Sequence, residues 1–276
     1  VREFSGKVAV VTGAASGIGR ALALRFADEG MHLMLADVDP SGLAETAALA
    51  RPARVLTQIT DVSDAAAVQH LAARTFGELG AVHVLCNNAG VFQGGHIWTR
   101  TPEDFTWLLG VNLWGVLHGI QSFVPRMIEQ DTEGHIVNTV SVAGLFATPY
   151  MGGYGVSKYA ALAASQTLAQ DLALTGAKLK VTALCPGGVR TRIDDSERVR
   201  PADLVVGRTR DDRRAQAIIE SIVEKGIDPG EVARQVVVAI REERFLLLTH
   251  PEYAKGLREQ VEALLDGGLP KLPDYE

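Results

Sequence analysis

Between residues 7 and 28 the chain passes from a short β-branched run through G-A-A-S-G-I-G into an amphipathic segment, and few folds accommodate that order. The run over 7–11 ends at Thr12 and predicts a strand; 20–28 predicts a helix. Glycines at such a junction let the backbone approach a ligand, and the helix N-terminus adds free N–H groups and partial positive charge. Gly13, Ser16, Gly17, Ile18 and Gly19 are therefore candidates for a diphosphate cradle. The plainer reading is a tight turn using glycine for its positive φ. Strands over 32–36, 54–59, 82–86, 135–140, 180–184 and 245–249 follow, separated by helical stretches that include 64–78, 160–174, 231–241 and 250–265. Single strands alternating with helices require parallel pairing with both sheet faces covered. The expectation is a single doubly wound α/β domain over 1–276, with strand order 3-2-1-4-5-6-7.

A chain of 276 residues, 47% hydrophobic, suffices for one large core, and its net charge of −6 argues against a general nucleic-acid binder. No apolar run approaches the roughly 18 residues that cross a bilayer, and the first residues lack an apolar signal core, so the cytoplasm is the expected compartment. Cys86 and Cys185 fall in strands two positions apart in the expected order, about 9–10 Å, too far for a disulfide. Two buried free thiols are expected, and no metal site.

Chemistry concentrates at the carboxyl ends of the strands. Asp37, about 20 residues beyond the glycine turn, is placed to accept from the adenosine ribose hydroxyls and to repel a 2′-phosphate. No Lys or Arg stands at Ser16 or Val38 to clamp such a phosphate, so NAD is favoured over NADP. The alternative for Asp37 is to cap the next helix, although Asp39 suits that role better. Asp61 and Val62 end the third strand, and N-N-A-G from Asn87 to Gly90 follows the fourth, where a sheet-stabilising turn is the plain reading. His96, in the loop 94–100, is either a substrate contact or simply solvated, and His118 is read as structural. Asn112 is polar within an apolar helical region; it either holds a helix irregularity and a water in a proton path or is satisfied by local carbonyls.

Tyr154 and Lys158, one helical turn apart and roughly 6 Å along the axis, leave the same face of a helix. An ammonium near a phenol favours the phenolate, making it a usable acid/base near neutral pH. Ser141, at the end of the fifth strand, is placed to bring its hydroxyl beside Tyr154. After the sixth strand, C-P-G-G-V-R-T permits close approach to a ligand. The charged run 190–216 is too polar for core, so 190–226 is expected to form a lid; Arg190 or Arg192 could meet an anionic substrate, a solvated face being the alternative. The stretch 250–276 is expected to be a terminal helix and a tail, with 267–276 a packing or subunit-contact arm.

T-G-A-A-S-G-I-G, Asp61, N-N-A-G, Asn112, Ser141, Tyr154-x-x-x-Lys158 and P-G-G-V-R-T together resemble the short-chain dehydrogenase/reductase family over about residues 5–250, in its small single-domain branch. The resemblance implies a Rossmann-type fold and a catalytic set of Asn112, Ser141, Tyr154 and Lys158. It implies a cofactor along Gly13, Ser16, Gly17, Ile18 and Gly19, its adenosine at Asp37, Val38, Asp61 and Val62. The middle of the cofactor would lie at Asn88, Ala89 and Gly90, and its nicotinamide end at Tyr154, Lys158, Pro186, Gly187, Val189 and Thr191. Val142, Ala143, Phe146, Met151 and Gly188 would wall the substrate; being mostly apolar, they point to a bulky, hydrophobic secondary alcohol or ketone. Family members are commonly tetramers, so a homotetramer or homodimer is expected. An NADPH-dependent carbonyl or ketoacyl reductase and a non-catalytic NAD-sensing regulator are the alternatives, the latter expected to lack part of the set retained here.

Overall fold

A computed structural model of the chain describes residues 1–269. Within them, seven strands form one parallel sheet: β1 Val8–Thr12, β2 His32–Asp37, β3 Val55–Ile59, β4 Val84–Asn87, β5 Gly134–Thr139, β6 Leu179–Cys185 and β7 Leu246–Leu248. Their spatial order is β3-β2-β1-β4-β5-β6-β7, as the alternating pattern predicts. All five residues of β1 are buried, because helices cover both faces and neither side of the strand meets water. Successive side chains alternate between the two layers. Ala9, Val11, Leu33, Leu35, Val84 and Cys86 join one core cluster; Val10, Met34, Leu85 and Ile136 join the other.

The first layer is closed by α1 (Gly17–Asp28) packed beside α8 (Pro229–Arg241). The second is closed by α3 (Ala65–Leu79), α5 (Gly115–Glu129) and α6 (Gly152–Thr175). The helix α2 (Pro40–Leu49) starts where Asp39 accepts from the N–H groups of Ser41 and Gly42, so Asp39 and not Asp37 is its cap. A Thr101–Asp104 capping box opens α4 (Pro102–Leu109), and a Thr209–Asp212 box opens α7 (Arg210–Glu224). The chain closes with α9 (Tyr253–Leu265). Among the described residues, no helix is long and apolar enough to cross a membrane. Cys86 and Cys185 are free and buried.

Two local expectations are corrected, and the helix irregularity expected at Asn112 is found. The helix carrying Tyr154 and Lys158 begins at Gly152, eight residues before the alanine run, because Gly153 lets it close on Leu108, which a methyl group there would meet at 2.9 Å. Between α4 and α5 the helix widens into a π-helical turn, Gly110–Trp114, with Asn112 in it. Finally, the charged run after β6 is not wholly solvated. Arg200 has a side chain only 2% exposed, since Asp104 and Glu197 neutralise it at 2.7 and 3.2 Å while its guanidinium lies over Trp107. The part of the expected tail beyond Leu269 lies outside the described residues.

Candidate active site

The reversal of strand order between β1 and β4 leaves a crevice at the carboxyl edge of the sheet. A cavity of about 1040 Å³ opens there. Its wall takes in every residue that the family resemblance assigns to cofactor or substrate except Gly19, and, of the four assigned to catalysis, Ser141, Tyr154 and Lys158 but not Asn112.

At one end, Gly13 and Gly17 adopt φ of 66° and 53°, the left-handed region open to glycine. A methyl group on Gly17 would sit 3.0 Å from the Thr191 methyl, so the turn is tucked under the chain that follows β6. Gly19 serves packing instead: a Cβ there would fall 2.0 Å from the Gly13 carbonyl oxygen, fusing turn and helix too closely for any side chain. The Asp37 carboxylate accepts from the Ala15 N–H at 2.8 Å and from the Asp39 N–H at 3.0 Å, which fixes its attitude at the cavity edge. Asp61 is turned to Ser63, accepting from its N–H and hydroxyl at 2.9 and 2.7 Å. Asn88 donates its side-chain amide to the Thr12 carbonyl at 3.0 Å and accepts from the Thr139 hydroxyl at 3.1 Å, tying the ends of β1 and β5 together as the turn reading expects.

At the other end stand Ser141, Tyr154 and Lys158. Ser141 has a φ of 138°, a conformation that costs a non-glycine residue free energy and turns the chain out of β5 into the site. Its hydroxyl also accepts from the Ala143 N–H at 3.1 Å. The Tyr154 ring packs edge-on against Phe92, centroids 5.1 Å apart. Burial raises the Tyr154 phenol above its ordinary pKa, and the hydrogen bond with Ser141 pulls the other way. From spacing alone, that lowering role falls to Lys158. Here the Lys158 ammonium donates to the Thr139 carbonyl at 3.0 Å and lies 5.7 Å from the Tyr154 ring centroid, and burial lowers its own pKa to about 8.

Asn112 reaches the site indirectly. Its side-chain oxygen accepts from the Val91 N–H at 2.9 Å, and its amide donates to the Val91 carbonyl at 2.9 Å and the Ser157 hydroxyl at 3.0 Å. The helix is irregular there, as one reading held, and the partners lie across the fold, not among local carbonyls. A Cβ on Gly90 would meet both the Asn112 oxygen and the Lys158 ammonium, at 3.3 and 3.4 Å, so the N-N-A-G turn closes over the pair. His118 bonds the Val62 carbonyl at 2.9 Å, in keeping with a structural role. His96 lies outside the cavity, stacked on Trp98. Arg190 is also outside, bonded to the Gly226 carbonyl, whereas Arg192 lines the cavity while paired with Asp195 at 2.6 Å.

Further residues of the cavity wall were not named individually from sequence, although 219–223 fall within the expected lid. Ile219, Ile222 and Val223 of α7 and Tyr253, Gly256 and Gln260 of α9 all face the cavity. Both sets recur at helical spacing, and that periodicity was the available signal. Tyr253 lies against Phe146, centroids 5.8 Å apart, and Gln260 donates to the Leu145 carbonyl at 2.5 Å, docking α9 on the loop after Ser141.

A family model described as short chain dehydrogenase matches residues 7–201. The crystal structure of a short chain dehydrogenase/reductase from Burkholderia phymatum in complex with NAD is 43% identical, covers 100% of both chains and superposes with a TM-score of 0.98. The CLA biosynthesis dehydrogenase/reductase of Lactiplantibacillus plantarum is 31% identical over 277 residues, covering 98% of this chain and 97% of the relative. The 1-deoxy-11-beta-hydroxypentalenate dehydrogenase of Streptomyces avermitilis is 40% identical over 187 residues, 66% of this chain and 68% of that protein. With this sheet order, glycine turn and Ser–Tyr–Lys cluster in one crevice, the chain belongs to the short-chain dehydrogenase/reductase family of oxidoreductases.

Proposed function

We propose that this protein transfers a hydride between NAD and a bulky, hydrophobic secondary alcohol or its ketone. The observation that carries the reading is the continuity of one cavity from Gly13 and Asp37 to Ser141, Tyr154 and Lys158. The chain fits a dinucleotide: the turn from Gly13 to Gly17 lines the cavity at the start of α1, and Asp37 retains lone pairs for ribose hydroxyls. The NAD in the Burkholderia relative supports that assignment, and the Asp37 charge, which would repel a 2′-phosphate, supports NAD over NADP.

Bound nicotinamide supplies the hydride donor or acceptor. Tyr154 takes the substrate hydroxyl proton in oxidation and returns it in reduction. The Ser141 hydroxyl bonds the same substrate oxygen and steadies the charge that develops there. Lys158 holds positive charge beside the phenol and favours its ionised form. Asn112 positions Val91 and Ser157 around Lys158. Val142, Ala143, Phe146, Met151 and Gly188, with Ile219 and Ile222 from the lid 190–226, exclude water and receive apolar bulk. Trp114, Ile128, Val156 and Tyr159, exposed around α5 and α6, support assembly as a homotetramer or homodimer.

The test is absorbance at 340 nm with purified protein, NAD or NADP, and a panel of hydrophobic secondary alcohols. Turnover with NAD at least ~10-fold above NADP is expected, and Tyr154→Phe should cost roughly 10³-fold in kcat while the NAD dissociation constant holds. A preference for NADP would refute the role given to Asp37. Tight NAD binding without turnover of any alcohol or ketone would favour a non-catalytic NAD-sensing regulator.

A further inference from the structure

Outside the cavity, behind its substrate end, lies a buried charge cluster with no part in the chemistry above. The Asp104 side chain is 1% exposed, and those of Arg100 and Arg200 are 2% exposed. Arg200 donates to Asp104 Oδ1 at 2.7 Å, and Arg100 approaches Asp104 Oδ2 at 3.5 Å. The same Oδ2 accepts from the Thr101 N–H at 3.1 Å. One carboxylate thus faces two guanidinium groups that arrive from different parts of the site.

Arg200 belongs to the lid. Its neighbours Val199 and Pro201 both line the cavity, and its Nε donates to the Leu204 carbonyl at 2.9 Å, closing the lid segment on itself. Arg100 belongs to the loop that leads into α4. Its guanidinium lies so close to Gly95 that a Cβ there would meet it at 2.6 Å, and Gly95 in turn pairs with Met151, which lines the cavity. Arg100 also donates to the Thr209 hydroxyl at 2.8 Å and reaches Asp211 at 3.4 Å, at the start of α7. Removing the carboxylate charge would take away the one anion the two buried guanidinium groups share, leaving Arg200 with Glu197 at 3.2 Å and Arg100 with Asp211 at 3.4 Å, and the link between the segments bearing them would loosen.

We infer that Asp104 is a positioning residue for the substrate: by holding Arg200 and Arg100 together it sets the spacing between Val199 and Pro201, beside Arg200, and Met151, tied to Arg100 through Gly95. It touches neither cofactor nor reacting atoms. The inference rests on the reading of this cavity end as the substrate site. Its consequence is selective. A bulky substrate that fills this space depends on the clamp; a small one does not, and neither does the dinucleotide at the far end.

The test compares wild type with Asp104→Asn, using 1-(2-naphthyl)ethanol as the bulky probe, propan-2-ol as the small one, and NAD affinity by fluorescence. Expected are a rise of about 10-fold or more in KM for the naphthyl alcohol, with kcat and the propan-2-ol kcat/KM within about 3-fold and NAD affinity unchanged. Hydrogen exchange is measured alongside and should quicken about 10-fold at 199–204 and 94–96 while β5 stays protected. Should Asp104→Asn not fold, Arg200→Lys, which keeps the charge but loses the fork, should show the same pattern at about 3-fold. Equal losses for both alcohols, or unchanged exchange at both segments, overturn the inference. Should wild type turn over neither alcohol, the reaction reading fails, and hydrogen exchange by itself decides whether Asp104 ties the two segments together.

Discussion

Replacing Lys158 by methionine should make stability respond to pH in a way that measures the cost of the site. Lys158 is 3% exposed, and burial lowers its pKa from 10.5 to about 8. At pH 7 it is charged in both the folded and the unfolded chain, and the charged folded form is disfavoured by about 3 kcal/mol, from ~1.36 kcal/mol per unit. Between about pH 8 and 10.5 the unfolded chain holds a proton that the folded chain has lost, so this contribution to stability rises with pH. At pH 10 less than about 1 kcal/mol of the penalty remains, a gain of about 2.5 kcal/mol over pH 7. The thioether of the Lys158→Met variant has no proton to exchange, and the other titrating groups are common to both proteins. Urea unfolding of cofactor-free protein at fixed concentration, followed by tryptophan fluorescence at pH 7, 8.5 and 10, should therefore show wild type gaining about 2.5 kcal/mol on the variant. For a chain of this length that equals about 4 °C in Tm. The bond from Lys158 to the Thr139 carbonyl is lost at every pH and offsets the curves without changing their divergence. A gap constant to within about 0.5 kcal/mol would refute the claim that Lys158 is charged at a desolvation cost.

Ser141→Ala removes the hydrogen bond that opposes the rise of the Tyr154 pKa on burial. The pH–rate profile for alcohol oxidation should move to higher pH, and kcat should fall roughly 10²–10³-fold; an unmoved profile would show that Ser141 does not act through Tyr154. Two glycine substitutions should have opposite effects. Gly77→Ala, inside α3 with open space around its Cα, should add about 0.5–1 kcal/mol in urea unfolding. Gly19→Ala, whose Cβ would fall 2.0 Å from the Gly13 carbonyl, should abolish NAD binding or folding. If the two variants behaved alike, the close contact between turn and helix would be disproved.

The sheet was legible because most of its strands are buried on both faces and so read as near-continuous apolar runs, and because helical stretches between successive strands leave little choice of topology. The site residues were legible where backbone chemistry demands a type, as at Gly13 and Gly17, or where two groups must share a helical face, as at Tyr154 and Lys158. Burial was not legible. Arg200 looked solvated because its neutralising partner, Asp104, lies 96 positions away in sequence. The Tyr154–Lys158 spacing suggested an ammonium lowering a phenol, but desolvation acts on both groups and nothing local in the sequence reports it. The start of α6 lay ahead of the alanine run, where nothing local shows that Leu108 packs against Gly153. The walls from α7 and α9 carried a signal in their periodicity, though only the fold says which faces meet.

The π-helical turn at Gly110–Trp114 makes chain length itself a carrier of information. Each helical residue advances the direction of the side chains by about 100°, so one surplus residue rotates everything after it relative to everything before it. With that offset, Trp107 and Leu108 point into one cluster beside Tyr154 while Phe123, Val124 and Met127 point into another beneath the sheet. Deleting any single residue from 110–114 would restore a regular helix and turn the whole of α5 away from α3, even with every remaining side chain native. Asn112 apart, this stretch can therefore exchange residues more readily than it can gain or lose one.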